Sequence, residues 1–131
     1  MNKKKWMLLL LALGLTQDLP IVVAAPFAQG IPCLRFTSQM APGVAQAGEY
    51  KVIHSYQVKC GTSLHNLTVR TQRGALQPVT VERDQGGGWA VVAKDAHDPT
   101  VNWGSGSFRV ILDNRKGTTP IAYRGHFSLP L

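Results

Sequence analysis

From Glu49 to Cys60 the chain alternates. Tyr50, Val52, His54, Tyr56, Val58 and Cys60 fall on one side, Lys51, Ser55, Gln57 and Lys59 on the other, and Ile53 alone breaks the polar row. A period of two with aromatic and β-branched residues on one side predicts a half-buried strand. The same period recurs in Leu64–Thr71, where Leu67, Val69 and Thr71 oppose Asn66, Thr68 and Arg70. It returns in Val79–Arg83, in Trp89–Lys94 with Trp89, Val91 and Ala93 facing one way, and in Phe108–Asp113 with Phe108, Val110 and Leu112 together. The last run places Ile121, Tyr123, Gly125, Phe127 and Leu129 inward and Ala122, Arg124, His126 and Ser128 outward. A first short strand is expected around Cys33–Ser38, and Val101–Trp103 reads as a brief extended piece.

Turn residues separate these runs: Gly61-Thr62-Ser63, Arg73-Gly74, Asp84–Gly88, Asp95–Thr100, Gly104-Ser105-Gly106 and Asn114–Pro120. Such Gly-, Asn- and Pro-rich clusters interrupt pairing and reverse the chain. The stretch Ala41–Ala47 contains Pro42 and Gly43 and is followed by Gly48, so it reads as a loop. Beyond the first residues no stretch shows apolar positions at helical spacing. Seven short strands indicate an all-β fold, an antiparallel β-sandwich of about seven strands, with a small β-barrel as second choice.

The N-terminus has a different character. Asn2-Lys3-Lys4-Lys5 is basic, Met7–Leu15 is an unbroken apolar run, and Thr16–Ala25 ends in small residues. This is the layout of a secretory signal peptide, residues 1–24, with Val22 and Ala24 at the positions the peptidase reads. Gln17, Asp18 and Pro20 interrupt the apolar run before it reaches the roughly 20 residues of a spanning helix, so no stable membrane insertion is expected after cleavage. One domain, residues 25–131, follows, secreted or periplasmic.

Export bears on the two cysteines, Cys33 and Cys60. In an oxidising compartment an even count is most simply one disulfide. Two thiols alone lack the further ligands of a structural zinc site.

The segments Gly106-Ser107-Phe108-Arg109-Val110 and Tyr123-Arg124-Gly125-His126-Phe127-Ser128-Leu129, with Asn114 between them, resemble the closing strands of bacterial pre-peptidase C-terminal-type and immunoglobulin-like modules. The resemblance implies a non-catalytic extracellular accessory module. Such modules often carry an acidic metal-binding loop, which has no convincing counterpart here.

Catalytic patterns are weak. Past residue 24 the carboxylates are Glu49, Glu82, Asp84, Asp95, Asp98 and Asp113, all at loops or strand ends. Gly104-Ser105-Gly106-Ser107 lacks the G-x-S-x-G spacing of a nucleophile elbow. Asp95, His97 and Asp98 form the densest set of metal-type ligands, without calcium-loop spacing, and remain a weak candidate. His54, His65 and His126 are scattered along strands and read as surface or interfacial side chains. Asn66-Leu67-Thr68 matches a glycosylation acceptor but lies within a strand. No cofactor is expected.

The net charge is +7, and removing residues 1–24 takes Lys3, Lys4, Lys5 and Asp18, leaving +5. Arg70, Arg73, Arg83, Arg109, Arg115, Lys116 and Arg124 fall at outward positions or turns. A basic surplus favours anionic partners. Nucleic acid is not among those expected, because the aromatics mostly face inward and the leader removes the protein from the cytoplasm. Trp89 and Trp103 lie beside glycines and, with Arg115 and Lys116, are possible binding-loop residues. The reading favoured is a small exported module that binds a protein or an anionic envelope polymer. The alternative is an inhibitor of a secreted enzyme presenting the loops Gly86–Trp89, Asp95–Trp103 and Asn114–Pro120. A small metal-dependent hydrolase is third.

Overall fold

The structure, a computed structural model, describes residues 33–131. The signal-peptide reading and the domain's start at residue 25 lie outside the described residues. Eight strands follow in order: β1 (Arg35–Ala45), β2 (Tyr50–Val58), β3 (His65–Thr71), β4 (Val79–Asp84), β5 (Trp89–Ala96), β6 (Thr100–Val101), β7 (Gly106–Asp113) and β8 (Ile121–Pro130). They form two four-stranded antiparallel sheets, β1-β8-β3-β6 (sheet A) and β2-β7-β4-β5 (sheet B). The fold is the expected β-sandwich. The brief extended piece near Val101 supplies the eighth strand, pairing Thr100 and Val101 with Asn66 and His65. Among the described residues no helix is long and apolar enough to cross a membrane.

The inward rows meet in one core. Leu67, Val69, Tyr123, Phe127 and Leu129 from sheet A pack with Val58, Val79, Val81, Phe108, Val110 and Leu112 from sheet B. Fully burying one such side chain stabilises by about 1.5–3 kcal/mol, so this packing is the main favourable term.

Three departures from simple alternation have local causes. β1 runs on through Ala45, so Ala41–Ala45 of the segment read as a loop belongs to it, while Gln46 and Ala47 lie in the turn that follows. A register shift between Met40 and Gly43 absorbs Ala41 and Pro42 as a bulge. Pro42 is tolerated because β1 is the edge of its sheet, where a missing N–H need not break a ladder. A Cβ on Gly43 would lie 2.5 Å from the Tyr123 hydroxyl, so glycine lets that ring cover the strand.

In β2 a shift between Val52 and His54 makes Ile53 the extra residue. Ile53 therefore turns into the core and Val52 to solvent, reversing the expected assignment of both. In β5 two shifts send Trp89 and Val91 to the outside while Val92 and Ala93 touch the core.

His65 is not a surface side chain. It is wholly buried, with Nδ1 3.0 Å from the Tyr56 hydroxyl and Nε2 3.0 Å from the Gly104 carbonyl. In the neutral tautomer consistent with both contacts, Nε2–H donates to the carbonyl and Nδ1 accepts from Tyr56. Phe108 and Trp103 meet the imidazole edge-on, with centroids 4.9 and 5.3 Å away. Burial holds its pKa below the ordinary histidine value and pushes that of Tyr56 up. His54, stacked on Phe127 at 4.4 Å, is lowered for the same reason.

The ends of the sandwich are fastened differently. At one, the disulfide Cys33–Cys60 joins the start of β1 to the end of β2 across a Cα–Cα distance of 5.8 Å. At the other, the buried Asn114 places Nδ2 within 3.3 Å of the Ala45, Gln46 and Thr119 carbonyls.

Two outcomes follow. The disulfide closes a separation of 27 residues, so Cys33→Ser with Cys60→Ser should cost about 3–4 kcal/mol, read from urea unfolding. His54 and His65 titrate lower in the folded state than in the unfolded one, so the unfolded chain takes up protons first as pH falls. Stability should be full above about pH 6.5 and decline as pH falls below it, read as a lower urea midpoint at about pH 5.5 than at about pH 7.5.

Candidate functional site

The outward rows of the two sheets carry different charge. Sheet A contains Arg35, Arg70 and Arg124 and neither Asp nor Glu in any of its strands. Sheet B contains Lys51, Arg83, Lys94 and Arg109 against Glu82, Asp84, Asp95 and Asp113, and balances.

The guanidinium groups of Arg109 and Arg115, on the outer face of sheet B, are also engaged. Arg109 lies 4.2 Å over the Trp89 ring, and its Nε donates to Glu82 Oε1 at 2.6 Å. Glu82 Oε2 accepts from the Tyr50 hydroxyl at 3.2 Å, and Arg115 stacks 4.3 Å over the Tyr50 ring. Arg115 also grips both oxygens of Asp113 at 2.9 Å, which holds that carboxyl below its usual range. Aromatic, guanidinium and carboxylate thus alternate across the face and satisfy one another.

Sheet A has no such closure. Register pairs Arg70 of β3 directly with Arg124 of β8, and both are exposed. Like charges directly opposite on an antiparallel pair destabilise it. Arg70 donates to the Gly74 carbonyl at 2.9 Å, but among the described residues neither arginine has a carboxylate partner. Residues 1–32 contain one acidic residue, Asp18. His126 stands two residues along β8, paired with Thr68 on one side and Gln39 on the other. Asp98 reaches the same area by accepting from the Thr68 hydroxyl.

These side chains rim an open concavity of about 510 Å3, bounded by Gln39, Pro42, Thr68, Arg70, Arg124 and His126. Gly125 and Met40 also line it, and a Cβ on Gly125 would come within 2.8 Å of the Thr68 carbonyl oxygen. A second concavity of about 460 Å3 shares Pro42 and Arg124 with the first. A third, about 450 Å3, shares Gln72 and Ala122 with the second and extends the groove to Arg73. Guanidinium forks along such a groove suit carboxylate, sulfate or phosphate oxygens. Arg35 is committed elsewhere, donating to Ser128 Oγ, Ser63 Oγ and the Leu64 carbonyl.

The residues singled out in the sequence are dispersed. Trp89 is 40% exposed on the outer face of sheet B, whereas Trp103 packs against the core. Arg115 and Lys116 are exposed in the β7–β8 turn. The Gly86–Trp89 turn follows the end of β4 opposite the start of β7, while Asn114–Pro120 follows the other end of β7. The loops proposed for inhibition therefore do not gather at one end. Arg83, read as outward, shares the inner side with Val79 and Val81. Its guanidinium escapes the core end by lying 5.8 Å from the Phe108 centroid and donating to the Ser105 carbonyl at 2.6 Å.

Asp95, His97 and Asp98 are not assembled into a centre. Among the described residues no group of three His, Cys, Asp or Glu could hold a metal ion. Asp95, at a register shift within β5, and Asp98, in the loop after it, instead adopt left-handed φ values of 50° and 47°, a conformation that aspartate tolerates. Gln39, Thr68 and His126 were not singled out for this site, because their convergence depends on which strands are neighbours.

Relieving the opposed charges should strengthen the fold. Arg124→Thr is expected to raise stability by about 0.2–1 kcal/mol, measured as a higher midpoint in urea at low salt, with the gain shrinking as salt is added. Compared with models of known protein families and with curated proteins, the chain matches none.

Proposed function

We propose that this protein is an exported, non-catalytic β-sandwich that acts by binding, and that the outer face of sheet A is where it holds an anionic polymer of the cell envelope. The observation that carries this reading is the Arg70–Arg124 pair: two exposed guanidinium groups opposed in register, without a carboxylate partner among the described residues, above an open groove. An arrangement that costs stability is retained most simply for what it meets. The groove continues past Arg73, which suits an extended ligand better than a single small anion.

Export fits the disulfide, which persists in oxidising compartments. It also fits the basic and apolar leader. The non-catalytic, accessory character is the one implied by the resemblance of the closing strands to extracellular modules.

The test is retention of the mature chain on an immobilised sulfated or carboxylated polysaccharide, with an uncharged polysaccharide beside it. Wild type should bind only the anionic matrix and elute with salt, as exposed charge contacts do. Arg70→Ala with Arg124→Ala should elute at markedly lower salt, while Lys116→Ala, in the β7–β8 turn, should elute as wild type. Equal retention of the double variant, or equal binding to the uncharged matrix, would overturn the reading.

A further inference from the structure

We propose that the first half of β1, Arg35–Met40, is a docking edge that accepts an extended segment of a partner protein as an added strand, the segment alternating apolar with acidic residues. An edge strand leaves one row of backbone N–H and C=O groups without sheet partners, and folded proteins usually blunt such rows. Among the described residues the sandwich has four edges: β1 and β6 in sheet A, β2 and β5 in sheet B.

Three of them are blunted. β6 is two residues long. β5 is broken by two register shifts. β2 carries a bulge at Ile53, with Lys51 just before it. The second half of β1 is interrupted by its own bulge and Pro42, and Lys51 Nζ donates to the Val44 carbonyl at 2.9 Å.

The stretch Arg35–Met40 has none of these devices. It pairs with β8 in unbroken register from Arg35↔Pro130 to Met40↔Gly125 and contains no Lys, Pro, Gly or bulge. Among the described residues it has no backbone hydrogen bond on the side away from β8.

Its two faces indicate what would pair there. On the inner side Phe36 is 51% exposed, with its centroid 6.0 Å from that of Phe127, and the adjoining Leu34 is 73% exposed. The Phe127 ring also carries His54, whose buried Nε2 has no hydrogen-bond partner among the described residues. Alternate apolar residues of an added strand would cover Phe36. On the outer side Thr37 and Gln39 precede the His126 and Arg124 row, in a sheet without a carboxylate in its strands. Acidic residues therefore suit the other alternate positions, and electrostatic complementarity orients such a strand. A second copy of this chain would bring a like basic sheet to the same edge, which charge opposes.

The inference rests on the free backbone edge and not on the polymer reading. It is tested with the mature chain and an eight-residue peptide alternating valine with glutamate. The comparison peptides replace glutamate with lysine or carry N-methyl groups on alternate amides. Amide exchange and shift mapping should show new protection within Arg35–Met40. Affinity should fall by roughly tenfold with Phe36→Ser, from lost apolar burial, and binding should vanish for the N-methylated peptide. Phe36→Ser should leave retention on the anionic polysaccharide unchanged.

Shifts confined to Arg70, Arg124 and His126, with the N-methylated peptide binding as well as the parent, would overturn the docking edge and leave the basic face standing. Protection, without peptide, of the Arg35–Met40 amides that point away from β8 would also overturn it: concentration-dependent protection would assign the edge to a second copy, and protection at every dilution would mean the chain covers its own edge. No perturbation at millimolar peptide would overturn it outright.

Discussion

Every second side chain of β8 is committed to the space between the sheets. Tyr123, Phe127 and Leu129 are buried there, so Arg124, His126 and Ser128 face the other way. β3 obeys the same rule, with Leu67 and Val69 inside and Arg70 outside. Because β3 and β8 are neighbours, their register sets Arg70 against Arg124. A slip of one residue on either strand would turn guanidinium groups into the core and aromatic or aliphatic side chains out. Burying an unpaired charge costs far more than any gain such a slip could offer. The basic face is therefore specified as tightly as the core beneath it.

The two outer faces solve their charge problem in opposite ways. On the outer face of sheet B Arg109 and Arg115 have each found an aromatic and a carboxylate, and the Trp89–Arg109–Glu82–Tyr50–Arg115–Asp113 series helps bury Glu82. That face supports the sheet. On sheet A Arg70 and Arg124 stay exposed, with no carboxylate partner among the described residues. The destabilisation, about 0.2–1 kcal/mol for one opposed pair, is small beside the contribution of the disulfide. A fold with one covalent clasp tolerates such a face.

The sandwich was legible because six runs alternate and turn residues separate them. What escaped the pattern was set by neighbours. The bulge at Ile53 depends on the count of residues on β7, so Val52 and Ile53 were assigned to the wrong sides. Ala41–Ala45 looked like a loop because proline and glycine usually break strands, and only the edge position of β1 makes both acceptable. His65 sits in the inward row with Leu67, yet that it is wholly buried follows from the Tyr56 hydroxyl and Gly104 carbonyl that satisfy it. For the candidate site, the outward direction of Arg70 and Arg124 was readable from alternation. Their opposition was not, since it requires β8 to lie beside β3 across more than fifty residues of chain. Arg83 shows the limit of polarity as a guide: its long stem occupies an inner position while its head reaches the rim.

The contrast between the two fastened ends reaches beyond the folded state. Asn114 works with carbonyls wherever the chain finds itself, but the Cys33–Cys60 clasp closes only once its thiols have lost two electrons. Newly made polypeptide in a reducing environment thus lacks one of its two closures and stays comparatively pliable, and it locks only on reaching an oxidant.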